Sequence, residues 1–186
     1  MKMYQLLLCG LLFSTPAFAA PYTIDYKASS VSFSGKHAGN AFDGNFNTWQ
    51  ANVDFDAANL AKSSITATFD TASAKTGNLM YDGTLPSADW FDSKTYPQAT
   101  FKSTQLTKNT DGSFTAKGDL TIRDTTFPVS FVFTVDPADF SIPKLLATAS
   151  LVIDRLQYHI GMQSDAKAEW VDREIKLTLK IVATRG

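Results

Sequence analysis

Cysteine is almost absent from this chain: the only one in 186 residues is Cys9, inside the apolar stretch that opens the sequence. Beyond that stretch, disulfide staples, thiol catalysis and thiolate metal sites are excluded. Histidine is nearly as scarce. His37 and His159 stand far apart, with no H-x-H or H-E-x-x-H spacing, whereas a zinc site needs three or four ligands. There is no G-x-S-x-G nucleophile elbow, and no G-x-G-x-x-G or Walker pattern to cradle a phosphate. Neither sign of charge dominates: 17 Lys and Arg face 18 Asp and Glu, for a net charge of -1. Without a basic block the chain lacks the electrostatic footprint that binds nucleic acid or anionic lipid. After residue 20 no apolar run approaches the length of a membrane-spanning helix.

What the sequence does hold begins with residues 1–19. Lys2 gives a positive start, Gln5 to Phe13 is rich in Leu, and Ala17-Phe18-Ala19 places small residues about a cleavage point. That pattern is expected to be a secretory signal, removed after Ala19 to leave residues 20–186 as one domain. Leu8 is bulky and too little apolar sequence precedes Cys9 for a lipid-attachment cysteine. The expected product is a soluble, cysteine-free protein of an extracytoplasmic space such as a bacterial periplasm.

From residue 30 onward the dominant signal is period-two alternation, the mark of half-buried strands. Val31, Phe33 and Gly35 alternate with serines and Lys36; Ala51, Val53 and Phe55 with Asn52 and Asp54; Ile65, Ala67 and Phe69 with Ser64, Thr66 and Thr68. Further runs centre on Phe101, on Phe114 to Ile122, on Phe127 to Val135, on Ala147 to Ile153 and on Ile175 to Ile181. Eight strands follow, joined by turn signals at Asp43-Gly44, Asp111-Gly112 and Asp124-Thr125-Thr126. A meander of this length hides its apolar face by closing into a barrel, the favoured arrangement, or by folding as a sandwich. Asn78 to Phe91 breaks the strand period and reads as one or two helical turns, the second capped by Ser87, lying over a barrel mouth.

The inward face mixes large residues with Ala51, Ala67, Ala116, Gly118, Ala147 and Ala149, which are too short to reach a barrel axis. They leave either an open apolar cavity or a tapering filled core. Arg155 continues the inward register of Ala149, Leu151 and Ile153. A buried guanidinium needs a partner, so Arg155 forms a structural ion pair, with Asp82 as one candidate acid, or meets the head group of a ligand.

The order of several short motifs resembles the YceI-like family. They are Val31-Ser32-Phe33 with His37, Phe42-Asp43-Gly44-Asn45-Phe46, Thr76-Gly77 with Asp82, and Asp89-Trp90-Phe91-Asp92 running to Tyr96-Pro97. Ala99-Thr100-Phe101, Gly118 to Arg123, Pro128-Val129, and Asp154-Arg155 with Ile160-Gly161 complete the series. The resemblance implies an exported, lipocalin-like eight-stranded antiparallel barrel with a short helical lid, holding a polyisoprenoid, an isoprenoid quinone or another long-chain amphiphile. It implies no catalysis, no metal and no resident cofactor. Gly35 to Asn40 and the Trp170 region resemble the branch associated with membrane b-type cytochromes, which adds such a cytochrome as a possible partner. Asp124, where relatives carry Gly, and His159, where they carry small residues, depart from the pattern.

Under this reading the inward pocket residues are Phe33, Ile65, Phe69, Phe101, Leu120, Ile122, Phe131, Phe133, Leu151 and Ile153. Leu79, Met80, Trp90 and Phe91 form the lid, and His37, Asp82 and Arg155 are the polar candidates. Two alternatives stay open: a partner subunit with a filled barrel docked on the cytochrome, and an enzyme using the barrel as a reaction chamber.

Overall fold

The computed structural model describes residues 22–136 and 144–185; the expected signal segment, residues 1–19, lies outside them. The strands are β1 (Tyr22–Ile24), β2 (Ser30–His37), β3 (Asn40–Phe46), β4 (Trp49–Asp54), β5 (Ser64–Asp70), β6 (Ala74–Lys75), β7 (Gln98–Lys108), β8 (Phe114–Ile122), β9 (Thr125–Asp136), β10 (Lys144–Asp154) and β11 (Glu174–Arg185). Six of them are the halves of three bent strands. β1 and β2, β3 and β4, and β5 and β6 each run in succession; the first two pairs of halves keep the same neighbours on both sides, and β6 keeps only the β3 side. Counted so, eight antiparallel strands follow in chain order, and β11 returns to β1 and β2 to close the barrel.

The bends are fixed by side chains suited to corners. Ser73 Oγ donates to Asp70 O at 2.7 Å and accepts from Thr48 N at 3.0 Å, so the β3–β4 corner and the β5–β6 corner are tied together. Asp70 caps the one-turn helix Thr71–Ser73 by accepting from Ala72 N. The alternation expected from sequence holds best in β8, where Phe114, Ala116, Gly118, Leu120 and Ile122 are all buried.

Asp43-Gly44 is not a turn but lies within β3, with Gly44 opposite Phe33 of β2. A side chain there would run into the Phe33 ring and Lys75 O, so this glycine lets an aromatic ring lie flat across the strand. Asp111-Gly112 does form the β7–β8 turn, with Gly112 at φ +87. In the β8–β9 turn the left-handed residue is Arg123, at φ +58, and not Asp124. The hairpin forms without glycine.

One end of the barrel is closed by Phe55, Phe114 and Phe133. Phe55 meets Phe114 edge-on at 5.1 Å, and Phe114 stacks on Phe133 at 5.3 Å. At the other end two connections cover the mouth, residues 76–97 and residues 155–173. The first contains α1 (Leu79–Thr84), whose N-cap Asn78 accepts from Met80 N and Tyr81 N. The second helical turn expected near Ser87 is instead an irregular turn, in which Ser87 O accepts from Trp90 N and Asp92 N.

Candidate ligand-binding cavity

Within the barrel the inward-facing strand residues stop short of the axis and leave open space. The lower chamber, about 160 Å³, is lined by apolar side chains almost throughout. Ala51, Ala67, Ala147 and Ala149 provide the room, as their size suggested. Gly118 and Ala116 do not. A side chain at Gly118 would meet Lys102 O and the Phe101 ring, so that position is already filled by its neighbour, and Ala116 packs in the closed end beside Phe55 and Phe114.

Of the residues expected to line a pocket, Ile65, Phe69, Phe101, Leu120, Phe131, Phe133 and Leu151 face this lower chamber. Phe33, Ile122, Ile153, Trp90 and Phe91 face an upper chamber of about 90 Å³ below the lid. Phe69 and Leu120 line both and lie where the two chambers meet. A third space of about 150 Å³ lies under α1, where Met80, Tyr81 and Leu85 oppose Phe33, His37 and Phe42. Phe33, Phe42 and Trp90 are common to it and the upper chamber, so the three spaces follow one another from entrance to closed end. Trp49, Val31, Ile24 and Tyr22 line the lower chamber and were not expected. The alternation Trp49, Ala51, Val53 carried the signal for Trp49.

The lid has a fixed side and a loose side. On the fixed side Asp89 accepts from Gln163 N at 2.7 Å and from Ser164 N at 2.9 Å, and Asp89 O accepts from Gly161 N. Arg123 donates to Trp90 O and His159 O, so His159 serves the lid through its backbone. Burial raises the Asp89 carboxyl pKa, but the hydrogen bonds from Ser164 and Gln163 and the nearby Arg123 outweigh it and hold the group below its ordinary value.

Arg155 completes this side. Its exposure is 1%. Nη2 pairs with Asp165 Oδ2 at 2.6 Å and donates to Val171 O, Nη1 donates to Ile160 O, and Nε donates to Asp172 O. The guanidinium also lies 5.6 Å from the Trp90 ring centre. Arg155 is therefore spent on structure, which corrects its candidacy as a head-group contact. Its partner is Asp165 and not Asp82. Burial lowers the Arg155 pKa, and the Asp165 charge opposes that. For Asp165 burial acts upward but is outweighed by the N–H groups of Val171, Trp170 and Glu169 and by Arg155, leaving its pKa lowered.

On the loose side α1 buries none of its residues. Leu79 is 90% exposed and lines none of the three spaces, a correction to its expected role; Met80, 75% exposed, reaches only the entrance. Asp82 likewise lies outside the cavity. It accepts from Thr76 N at 2.7 Å and Thr76 Oγ1 at 2.9 Å, and these bonds, the backbone one first, lower its pKa. The other tie is between Tyr81 Oη and His37 Nδ1, 3.0 Å apart across the entrance. His37 is thus at the rim, as expected, and the tyrosine is the partner that sequence did not supply.

Among the described residues no group of three His, Cys, Asp or Glu side chains could hold a metal ion. A closed antiparallel barrel with an apolar interior and a lidded mouth is a lipocalin-like fold. The chain matches the YceI-like domain over residues 22–183 and belongs to that family. A UPF0312 protein of Vibrio cholerae is 37% identical over 116 residues, 61% of this chain and 61% of that relative, so the match spans under two thirds of the relative's length. The crystal structure of Burkholderia cenocepacia BcnA superposes with a TM-score of 0.81 at 31% identity, covering 87% of this chain and all of that one. A polyisoprenoid-binding domain from Saccharophagus degradans, implicated in plant cell wall breakdown, shares the fold at a TM-score of 0.68 and 13% identity, covering 90% and 99% of the two chains.

Proposed function

We propose that the protein is a periplasmic carrier that holds a polyisoprenoid, an isoprenoid quinone or a similar long-chain amphiphile in the barrel and moves it through water. The observation that carries this reading is the string of apolar spaces running from the entrance under α1 to the closed end. Each methylene taken from water contributes about 0.8 kcal/mol, so a threaded chain binds firmly even after ordering costs are subtracted. Family membership and a polyisoprenoid-binding neighbour with the same barrel support the ligand class. The secretory pattern of residues 1–19 supports the compartment.

A partner subunit beside a membrane b-type cytochrome requires only a filled barrel and an outer docking face. The open interior favours the carrier. The test is to isolate the protein from the periplasm of cells that export it and identify what solvent extracts from it. A stoichiometric prenyl or long-chain lipid supports the reading, and recovery without lipid but bound to a cytochrome supports the other.

A further inference from the structure

The barrel wall is not paired along its whole length. β9 pairs with β8 over its entire upper part, from Phe133 opposite Phe114 to Thr125 opposite Ile122. β10 pairs with β11 as far as Asp154 opposite Glu174. Between themselves, however, β9 and β10 pair only from Asp136 opposite Leu146 to Phe133 opposite Ala149. Above that rung residues 125–132 and 150–154 carry no mutual pairing, so both strands present backbone N–H and C=O groups to an open seam.

Pro128 fits such a seam. A proline inside a fully paired strand would forfeit a ladder bond, and it is tolerated where one side of the strand is an edge. The seam is bounded above by Tyr158, which meets Phe127 edge-on at 5.5 Å, and below by the Thr134–Thr148 hydroxyl pair at 2.8 Å. Residues 128–132, at about 3.3 Å each, make it roughly 16 Å long.

The lower chamber reaches this seam. Val129, Phe131 and Leu151 line the chamber from either side, and so does Thr148, an exposed residue one rung below the last pair. On the outside the seam is flanked by Val132 and Val152, 51% and 57% exposed. Apolar surface thus continues from the chamber, through the wall, to the exterior. The lower chamber, at about 160 Å³, is near the size of a cavity that accepts benzene, so by itself it holds only a short piece of a prenyl chain.

We infer that the β9–β10 seam is a lateral portal that takes the tail of a linear isoprenoid chain longer than the barrel interior. The inference rests on the carrier reading and adds to it a preference for chains long enough to emerge. The protein then measures ligand length by how much of the tail lies along the Val132–Val152 rim.

Two measurements test this. The unmodified protein is loaded with octaprenol carrying a photoreactive diazirine at its tail, and adducts are mapped by mass spectrometry. Adducts on residues 128–132 and 150–153 are expected. Adducts confined to residues deep in the lower chamber or to α1 overturn the portal while keeping the carrier. In parallel, octaprenol and farnesol are titrated into the double variant Val132→Glu, Val152→Glu, whose changed side chains already face water. Octaprenol is expected to bind about ten-fold more weakly and farnesol about as before. Equal effects on both lipids, or none on either, overturn the portal; failure of the unmodified protein to bind either lipid overturns the carrier reading and the portal with it.

Discussion

Arg155 and Asp165 form an ion pair at 2.6 Å with side chains only 1% and 6% exposed, and this pair ties the start of the connection that covers the barrel mouth, just past β10, to its middle. Gly161 passes so close that a side chain there would lie 2.7 Å from Arg155 Nη1, and its φ of +69 suits glycine. Around it the fixed half of the lid is built, which leaves α1 as the half free to admit a ligand.

Replacing Arg155 with Met strands the Asp165 carboxylate in a buried site. A loss of about 3–5 kcal/mol is expected, read by chemical denaturation. Adding Asp165→Asn should recover part of it, whereas Arg155→Met with Asp82→Asn should recover none, because Asp82 is held by Thr76.

The same carboxylates set the acid limb of stability. Asp165 and Asp89 have lowered pKa values in the folded protein. Their contribution is complete above the unfolded value near 3.9 and is lost as pH falls through the lower folded values. Melting temperature should hold steady from pH 7 to about pH 5 and decline below about pH 4, and Asp165→Asn should flatten that decline. A decline already complete near pH 6 would contradict this assignment.

Gly118 and Ala149 face inward alike but should respond in opposite ways. Gly118→Ala drives a methyl group into the Phe101 ring and is expected to cost about 1–3 kcal/mol. Ala149→Leu extends into the lower chamber and should leave thermal stability unchanged or higher while lowering lipid occupancy. Paired melts of the two variants check this.

Tyr81→Phe removes the bond to His37 across the entrance. Stability should fall by no more than about 0.5–1.5 kcal/mol, while lipid exchange between protein and vesicles should quicken. Unchanged exchange would place the entrance elsewhere than under α1.

Much of the barrel was legible because alternating burial writes itself directly into strands such as β8 and β11. β3 was not, because Gly44 carries a turn signature yet sits mid-strand to make room for Phe33. Fifteen of the seventeen expected site residues border the three spaces, Arg155 among them although its polar atoms are spent on structure; the strand residues succeed because inward register is a local property. Leu79 and Asp82 failed because a six-residue helix with no buried side chain leaves no periodic signal of which way it faces. Asp165, the true partner of Arg155, lies in an irregular stretch with no period to read. The unpaired β9–β10 seam was not legible, because alternation marks which residues face inward and not how far two consecutive strands stay paired.

The central claim is that the interior is open and holds one long-chain lipid. Native mass spectrometry of the unmodified protein beside Ala51→Phe, Ala149→Phe tests it most directly, because the two new rings fill the lower chamber without touching the lid. The unmodified chain should carry one lipid-sized mass per protein, and the filled variant, folded by its melt, should fly bare. Two bare spectra, or a lipid retained by the filled variant, would contradict the account.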